Sequence, residues 1–503
     1  MTPHIHILST YPVDKELSSR HLFFSFSDDL LFDQVQKNRM VYVEKKAKLH
    51  EFMGKETDLL EVEFLQDRGE EHAIFVGLGE KRQVNERLLR DQVANAIRFS
   101  HSLKSEKVVI HTNSAIESIP HGVETLVEGV LLGDYSFDIY KGKESKKHAY
   151  HAKDVYVVVS TSILKIAAAQ AEKGEQKAQS VLLARDLINM PASHLHPEIL
   201  VSQARSIEKM SKGAVTVEVL DEAECKRLGM GAFLGVAEGS ERKPAFIVLK
   251  YKGNGTKNIA LVGKSITFDS GGLSLKPSEA MMDMKIDMAG GAAVLGVFQY
   301  LSTAHPLVSF KEVYGVLPAC ENMPSGKAIK PGDIVTALNG KTIEVLNTDA
   351  EGRLTLADAL VYAENQLRAD YCIDLATLTG ACMVALGADL SGLFSNDESF
   401  DASFGKCAKR SGDDYWKLPL YVDYAKQIKS DIADLKNIGG GRYGGAITAA
   451  LFLREFVQKM KWLHIDIAGP AYREQAAKGA LSKGATGWGV LAIINLLESS
   501  KQL

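Results

Sequence analysis

The chain has 503 residues, of which 46% are hydrophobic and 24% charged, a composition that excludes a disordered protein. Its 59 Lys and Arg nearly balance 63 Asp and Glu, which leaves a formal net charge of −4. No overall field therefore draws the chain to DNA, RNA or an acidic membrane surface, and we expect neither a nucleic-acid partner nor a membrane. The length predicts more than one domain.

The number of cysteines and the first residues of the chain indicate the cellular compartment of the protein. Five cysteines form an odd number without a Cys-x-x-Cys pair, which predicts neither a disulfide framework nor a cysteine-built zinc site. Residues 1–16 lack the basic and apolar regions of a signal peptide, and no apolar run approaches about 18 residues without a charge. These features predict a cytoplasmic protein.

The first 165 residues alternate between strand-like and helical patterns. Short apolar runs predict strands at Val41–Val43, Ala73–Val76 and Lys107–His111. An amphipathic pattern predicts a helix over Asn85–Leu103. The Lys- and His-rich stretch Lys141–Lys153 lacks interleaved aromatic residues, which favours a solvated surface loop over a nucleic-acid patch. We expect a smaller N-terminal α/β domain over residues 1–165.

The stretch Ile163–Asn189 has few helix breakers and predicts a helix that ends before Met190 and Pro191, because proline disfavours a helical residue ahead of it. We place a connecting helix at 166–190 and a larger catalytic domain at 191–503. There, alternating elements predict an α/β fold with a central mixed sheet flanked by helices. The strand-like runs are Phe246–Tyr251, Ile259–Val262, Val313–Leu317, Thr342–Leu346, Tyr371–Leu375 and Trp462–Ile467, and the helical patterns are Leu354–Gln366 and Ala446–Lys459.

Three segments that follow apolar runs carry charged residues, where loops at a sheet edge commonly form ligand sites. The first places Lys264 and Asp269 on what we expect to be a glycine-rich loop. The second holds Asp287 in an apolar, Gly- and Ala-rich stretch, where a buried carboxylate needs a partner. The third contains Asp349 and Glu351, two residues apart, so that both carboxylates project to one side of an extended segment.

Four carboxylates that converge from three segments repel one another unless cations neutralise them, and such clusters hold divalent ions. Histidine is nearly absent here, because His305 is the one histidine between Lys264 and Glu351 in the sequence. The pattern therefore favours oxygen ligands over a histidine-built zinc site. A single loop aspartate is more often a helix cap or turn residue, so only the combination carries the hypothesis.

These segments resemble the leucine aminopeptidase (cytosol aminopeptidase) family of two-metal exopeptidases. The eight residues Asn347–Leu354 read Asn-Thr-Asp-Ala-Glu-Gly-Arg-Leu, which matches that family's signature in full. The resemblance covers roughly residues 180–500, and the first 165 residues resemble the family in length and α/β character alone. The other matching segments are Val262–Pro277, Met284–Ala293, Asn322–Asp333, Leu375–Ala381, Trp462–Gly469 and Gly484–Gly487.

The resemblance implies two divalent ions, Mn²⁺ or Zn²⁺, in each subunit. Asp269 and Glu351 would bridge the ions, and Asp349 would complete the more exchangeable site. Lys264 and Asp287 would complete the tighter site. An amine ligates only when neutral, so the pKa of Lys264 would have to be lowered by the adjacent dications.

The resemblance also implies a mechanism, in which a water that bridges the metals attacks the peptide carbonyl. Lys276 would be the electrophile at that carbonyl, and Arg353 would hold a bicarbonate ion that acts as the general base. The residues implied around the substrate, with an apolar pocket for the first side chain, are Met284, Thr377, Leu378, Thr379, Gly380 and Ala468.

The function implied is a leucyl aminopeptidase that removes N-terminal, leucine-like residues from peptides with a free N-terminus, and that assembles as a homohexamer. A Cys-Gly dipeptidase would use the same site. A DNA-binding regulatory or architectural role belongs to a different class; the balanced charge speaks against it, although a basic groove formed only in an oligomer would escape a sequence count. An inactive homologue is disfavoured because every ligand position is intact.

Overall fold

The computed structural model describes residues 2–10, 19–30, 37–66, 69–102, 106–146, 151–441 and 443–499. It divides into two compact units, the first made of Met1–Gln179 and Gln475–Lys483, the second of Ser180–Glu474 and Gly484–Leu503. The division falls inside one 26-residue helix, Leu164–Asn189. Within the described ranges, no helix is both long enough and apolar enough to cross a membrane.

The first unit is built on one sheet. Its described strands lie in the order β1-β6-β5-β2-β4-β3, and neighbours are parallel except for β3, which pairs antiparallel with β4 at one edge. In chain order the elements are β1 His4–Leu8, β2 Ser19–Ser25, α1 Lys37–Leu49, β3 Leu59–Gln66, β4 Gly69–Gly77, the 3₁₀ helix Lys81–Gln83, α2 Glu86–Ser102, β5 Lys107–His111, α3 Ser114–Glu117, α4 Gly122–Asp134, α5 Lys143–Lys146, β6 Asp154–Val158, the 3₁₀ helix Thr161–Ile163 and α6 Leu164–Asn189.

The predicted strand at Val41–Val43 is wrong, because these residues lie inside helix α1. Val43 and Ala47 are buried in one cluster with Phe23 of β2, and Met40 packs against that cluster. Apolar residues spaced three and four apart form one face of a helix, and this spacing outweighed the β-branched residues. The exposed Val41 and Tyr42 lie on the solvent side.

Three other predictions for this region agree with the structure where it is described, and the fourth, a surface loop, agrees in part. Strands Ala73–Val76 and Lys107–His111 are confirmed, and so is the helix over Asn85–Leu103, although Leu103 lies outside the described residues. The stretch Lys141–Lys153 is exposed over residues 141–145 but contains the short helix α5, and its residues 147–150 lie outside the described part.

The second unit contains a nine-stranded mixed sheet among its described residues, with β10 joining the main order through β11. In chain order the elements are α7 Pro197–Met210, β7 Val215–Leu220, α8 Glu222–Leu228, α9 Gly231–Ala237, β8 Ala245–Lys252, β9 Asn258–Gly263, β10 Ser265–Asp269, α10 Ser278–Met281, the 3₁₀ helix Met284–Ile286, α11 Ala289–Ala304, β11 Glu312–Asn322, β12 Asp333–Thr336, β13 Thr342–Val345, α12 Gly352–Asn365, β14 Tyr371–Ala376, α13 Gly380–Leu386, β15 Ser391–Ser395, α14 Glu398–Ser411, β16 Tyr415–Lys417, the 3₁₀ helix Val422–Ile428, β17 Leu435–Lys436, α15 Gly445–Arg454, β18 Lys461–Asp466, β19 Tyr472–Arg473, β20 Gly484–Ala485 and α16 Val490–Glu498.

The main sheet runs in the order β16-β15-β18-β14-β9-β11-β8-β7, and its centre from β18 to β11 is parallel. Ala260 and Val262 of β9 pack in one cluster with α9 and α12, while the alternate residues Ile259 and Leu261 are equally buried. Helix α11 also contacts β9, so the strand is covered on both faces. The α/β fold with a larger catalytic domain and a mixed, helix-flanked sheet is confirmed.

The register aligns the carboxyl ends of the central strands. Gly263 of β9 pairs with Leu375 of β14, and Ala376 pairs with Asp466 of β18. The segments that follow these strands therefore leave the sheet at one edge, where open α/β sheets bind their ligands. The predicted strands and helices of this unit all lie on observed elements, with end shifts of a few residues.

Candidate metal centre and active site

A first group of charged side chains surrounds Lys264, which lies between β9 and β10. Its Nζ is 2.7 Å from Asp287 Oδ1 and 3.0 Å from Glu351 Oε1, and it donates a hydrogen bond of 2.9 Å to the carbonyl oxygen of Thr377. The Lys264, Asp287 and Glu351 side chains are each less than 5% exposed. All three predicted segments thus meet at this buried lysine.

The expected glycine-rich loop from Lys264 to Asp269 is instead a strand, β10, whose Ser265 and Asp269 lie opposite Ala319 and Asn322 of β11. The glycines that suggested a loop come later, at Gly271 and Gly272. Asp269 ends β10, and its carboxylate still acts on Lys264, whose pKa it helps to raise.

A second group surrounds Lys276. Its Nζ lies 2.9 Å from Asp269 Oδ2 and 2.5 Å from Asp349 Oδ1. Asp269 Oδ1 also accepts hydrogen bonds from the backbone N–H of Gly271 at 2.9 Å and from Asn322 Nδ2 at 2.8 Å. Asp269 is therefore fixed on both oxygens before any ligand binds.

The segment with Asp349 and Glu351 is a turn rather than the extended stretch that we expected. Asn347 Oδ1 accepts from the backbone N–H of Asp349 at 2.9 Å, and the Ala350 N–H donates to the Asn347 carbonyl at 3.2 Å. Asparagine favours such turns because its side chain mimics a backbone carbonyl. Glu351 then forms the N-cap position of α12, so the two carboxylates approach each other through this turn and the start of the helix.

Gly352, the first residue of α12, leaves the space that Lys264 occupies. A Cβ added at this glycine would lie 2.4 Å from Lys264 Cε and 2.7 Å from its Nζ. Any larger residue would push the lysine out of the group it forms with Glu351 and Asp287. The glycine of the Asp-Ala-Glu-Gly sequence is therefore required by close packing.

The electrostatics of the two groups follow from burial and from mutual repulsion. Burial raises the pKa of Asp287 well above its usual range, against the lowering effect of Lys264 and with the repulsion of Glu351 added. Burial, followed by the charge on Glu351, raises the pKa of Asp269, and burial raises that of Asp349. Burial would lower the pKa of Lys264, but the carboxylates around it raise it above its usual value.

These residues fit divalent cations. Asp269, Asp349 and Glu351 each offer a carboxylate oxygen within 4.8 Å of the others. Asp287 Oδ2 and Glu351 Oε2 are buried and have no hydrogen-bond partner among the described residues. Unpaired buried carboxylate oxygens are costly, and oxygen ligands bind hard divalent ions. Two lysines face four carboxylates, so the chain alone leaves the charge here uncompensated.

Arg353 lies one residue into α12 beyond Gly352 and is buried. One guanidinium N–H donates 2.7 Å to the Asn437 carbonyl, while its Nε has no hydrogen-bond partner within the described part of the chain. Burial lowers its pKa to about 10, so the side chain remains charged at neutral pH. A buried cation with a spare donor suits a small anion.

The segment Thr377–Gly380, which follows β14, contacts the group around Lys264. Thr377 bonds to Lys264 through its carbonyl, and its hydroxyl donates 2.7 Å to Asp287 Oδ1. Leu378 and Thr379 donate to Asp466, as does Ala468. The structure therefore brings together five of the six residues predicted around the substrate.

Met284, the sixth of these residues, is linked to the site only by its closeness to Asp287 in the sequence. It opens the 3₁₀ helix that ends just before Asp287, and it is half-buried. The described contacts give Met284 no link to Thr377–Gly380 or to Ala468. Its role in the substrate pocket stays a prediction.

Two residues of the site were not singled out from the sequence. Asn322 ends β11 and joins Asp269 to the turn at Asn347–Ala350, since its Nδ2 also donates 2.9 Å to the Thr348 carbonyl. Asp466 ends β18 and fastens the Thr377–Gly380 segment. Both are polar residues at the end of an apolar strand, which is the signal that could have found them.

Fold and site together define an α/β protein with a small N-terminal unit and a larger unit whose lysine- and carboxylate-lined centre suits divalent cations. The model of the cytosol aminopeptidase family catalytic domain matches residues 182–494, and that of the family's N-terminal domain matches residues 34–144. The chain belongs to the cytosol aminopeptidase family. It is an aminopeptidase of the leucyl type, a hydrolase, as the sequence predicted.

Relatives and solved structures agree with this assignment. A probable cytosol aminopeptidase of Alkaliphilus metalliredigens is 41% identical over 465 residues, covering 92% of this chain and 91% of the relative, and one of Geobacter sp. strain M21 is 42% identical over 453 residues, covering 90% of each. A mutant tomato leucine aminopeptidase aligns with a TM-score of 0.86 at 33% identity, over 99% of this chain and 96% of its own. The bottromycin maturation enzyme BotP in complex with Mn aligns at 0.83 and 29% identity, over 96% and 99%.

Proposed function

We propose that this aminopeptidase removes N-terminal, leucine-like residues from peptides at a two-metal centre held by Lys264, Asp269, Asp287, Asp349 and Glu351. The observation that carries the proposal is the convergence of Asp269, Asp349 and Glu351, whose carboxylate oxygens lie within 4.8 Å of one another. Two bound divalent ions, Mn²⁺ or Zn²⁺, would neutralise these carboxylates, lower the pKa of a nearby water and polarise the peptide carbonyl.

Lys264 and Lys276 have different tasks in this proposal. Lys276 is 14% exposed, and the carboxylates of Asp269 and Asp349 raise its pKa against the effect of burial, so it is protonated at neutral pH. A protonated amine can donate a hydrogen bond to the oxygen of the scissile carbonyl. Lys264 is buried and surrounded by carboxylates, and it would act as a neutral ligand once dications lower its pKa.

Arg353 completes the proposal as the residue that would hold bicarbonate, a base for the proton of the attacking water. Its buried Nε has no hydrogen-bond partner among the described residues, and Asn437 fixes the other side of the guanidinium. The substrate would lie against Leu378, Thr379 and Gly380, with further contacts from Met284, Thr377 and Ala468. One of the ions would also bind the free α-amine of the substrate. This would explain why the enzyme removes single N-terminal residues.

The broader setting is proposed with the activity. Peptides with a free N-terminus are the substrates, the chain assembles as a homohexamer, and it works in the cytoplasm, as the name of its cytosol aminopeptidase relatives suggests. We retain the domain limits 1–165, 166–190 and 191–503 as a proposal. Sedimentation equilibrium tests the hexamer, which predicts about six times the 54.9 kDa chain mass.

Hydrolysis of leucine p-nitroanilide tests the activity. Purified protein loaded with Mn²⁺ or Zn²⁺ should release p-nitroaniline, and a chelator should stop the reaction until metal is restored. Cysteinylglycine as a second substrate separates the dipeptidase alternative, which predicts a clear preference for it. A gel-shift assay at physiological salt tests the DNA-binding alternative. An absence of turnover with every divalent metal tested would contradict the proposal.

A further inference from the structure

The carboxylate of Asp466 binds the backbone beside the proposed substrate site. The residue ends β18 and is 1% exposed. Its Oδ1 accepts from the N–H groups of Leu378 at 3.2 Å, Thr379 at 3.4 Å and Ala468 at 3.2 Å. Its Oδ2 accepts from the Thr379 hydroxyl at 2.6 Å. One side chain thus fastens two segments that follow different strands.

The same segment is held from its other side by metal-ligand residues. The carbonyl oxygen of Thr377 accepts from Lys264 Nζ at 2.9 Å. A trans peptide is planar, with its C=O and N–H pointing in opposite directions. The peptide that joins Thr377 to Leu378 is therefore clamped at its oxygen by Lys264 and at its N–H by Asp466.

The next peptide follows from this geometry. The N–H of Thr379 points to Asp466, so the carbonyl of Leu378 points away from Asp466 by the same planarity. The Thr379 hydroxyl donates to Asp466 and accepts 3.0 Å from the N–H of Cys382, which caps helix α13. Asp466 therefore fixes the direction of the Leu378 carbonyl and of the α13 start together.

We propose that Asp466 is a positioning residue for the substrate, which sets the orientation of the Leu378 and Thr379 peptides relative to the metal ligands. This inference rests on the proposed function, since it takes Leu378 to Gly380 as substrate-contacting. Within the described part of the chain, the hydrogen bonds of the Asp466 carboxylate go to Leu378, Thr379 and Ala468 and to none of the proposed metal ligands. Its loss should therefore weaken substrate binding more than metal binding.

Asp466→Asn keeps an oxygen that can accept from the backbone N–H groups but presents an NH₂ to the Thr379 hydroxyl. We expect KM for leucine p-nitroanilide to rise ~10-fold or more, and the Kd of leucinol, measured by calorimetry, to rise by a similar factor, because misplacement of ~1 Å is enough for such losses. The Kd of Mn²⁺ alone, measured without substrate, should stay within ~3-fold of the parent value.

Two further variants keep the test decisive if Asp466→Asn fails to fold. Thr379→Val removes the hydroxyl that Asp466 binds and should raise KM, whereas Thr379→Ser retains this hydroxyl and should raise KM less than Thr379→Val does. Asp397→Asn is the matched control, because Asp397 Oδ1 caps α14 by accepting from Phe400 N–H at 2.8 Å, away from the segment in question. It should leave KM unchanged.

The outcomes separate this inference from the proposed function. An inactive parent protein contradicts the proposed function itself. An active parent with an Asp466→Asn variant whose KM and leucinol affinity are within ~2-fold of parent overturns the inference alone. So does a loss of Mn²⁺ affinity as large as the loss of leucinol affinity, because Asp466 would then support the metal centre and not the substrate.

Discussion

Buried carboxylates in the two units of this protein have opposite environments. In the first unit, Glu124 Oε1 accepts from Lys177 Nζ at 2.6 Å, and Glu128 Oε2 from Arg90 at 2.8 Å. Burial alone would raise the pKa of Glu124, but the hydrogen bond from His121 and the charge on Lys177 lower it to about 2. The folded chain itself stabilises the Glu124 carboxylate in its charged form.

In the second unit, the pKa values of Asp269, Asp287 and Asp349 are all raised. Two lysines contact four carboxylates in this cluster, which leaves negative charge uncompensated by these contacts. We infer from this contrast that the Glu124 cluster serves the fold and that the cluster around Lys264 and Lys276 holds the proposed metal ions. Shifted pKa values of the second kind gather at functional sites.

Glu351→Gln should have the largest effect, because it changes a proposed metal ligand in the cluster around Lys264 and Lys276. Hydrolysis should fall by about 10³-fold or more, because Glu351 is proposed to bind both metals. The fold should persist, since the buried Lys264 keeps its ion pair with Asp287 at 2.7 Å. Turnover of leucine p-nitroanilide measures the loss of activity. The rise in unfolding temperature that Mn²⁺ induces should vanish in the variant. Turnover near the parent value would show that Glu351 is not a ligand.

Glu124→Gln changes the buried cluster of the first unit, and it should lower stability while leaving activity unchanged. It leaves the buried Lys177 without its carboxylate, which costs about 3–5 kcal/mol of unfolding free energy. Urea denaturation should show a lower midpoint, while KM and kcat at 25 °C should match the parent. A change in kcat with an unchanged midpoint would contradict the division between the clusters.

The pH dependence of stability sharpens the same contrast. Glu124 has a folded-state pKa of about 2, below its ordinary value of 4.5, so its contribution is complete above pH 4.5 and is lost as the pH falls towards 2. The contribution is about 3 kcal/mol. Urea midpoints between pH 6 and pH 2 should fall less steeply in Glu124→Gln than in the parent. Parallel curves would exclude Glu124 as the cause.

Glu106→Gln gives the smallest expected effect and serves as the exposed control. Its Oε2 lies 2.7 Å from Lys153 Nζ, but the two side chains are 57% and 66% exposed. Solvent screens such pairs, so the loss should stay below about 1 kcal/mol. The same urea experiment measures it, and a midpoint shift as large as that of Glu124→Gln would mean that burial does not govern these pairs.

Much of the fold could be predicted from the sequence, because local patterns carry it. The run Lys107–His111 has the length and apolar character of a buried strand, and proline after Met190 marks the end of α6. The error at Val41–Val43 came from a run too short to show its helical period. The turn at Asn347–Ala350 was missed because an asparagine side chain overrides the extended pattern.

The candidate site was predictable in part. Spacing and resemblance indicated the charged residues that line it, from Lys264 to Glu351. The partners Asn322 and Asp466 depend on register: Asn322 meets Asp269 because β10 lies beside β11, and Asp466 meets Leu378 because β18 lies beside β14. Pairings between strands 50 to 90 residues apart leave no local pattern in the chain.

We propose that metal ions complete the cluster around Lys264 and Lys276 and that the activity requires them. The most direct measurement counts bound Mn²⁺ per chain by mass spectrometry while following leucine p-nitroanilide hydrolysis during chelation and reloading. We expect two ions per chain in the active protein. The activity should be lost when these ions are removed and regained on reloading, and Glu351→Gln should show neither metal binding nor turnover. Full hydrolysis in protein freed of metal would contradict it.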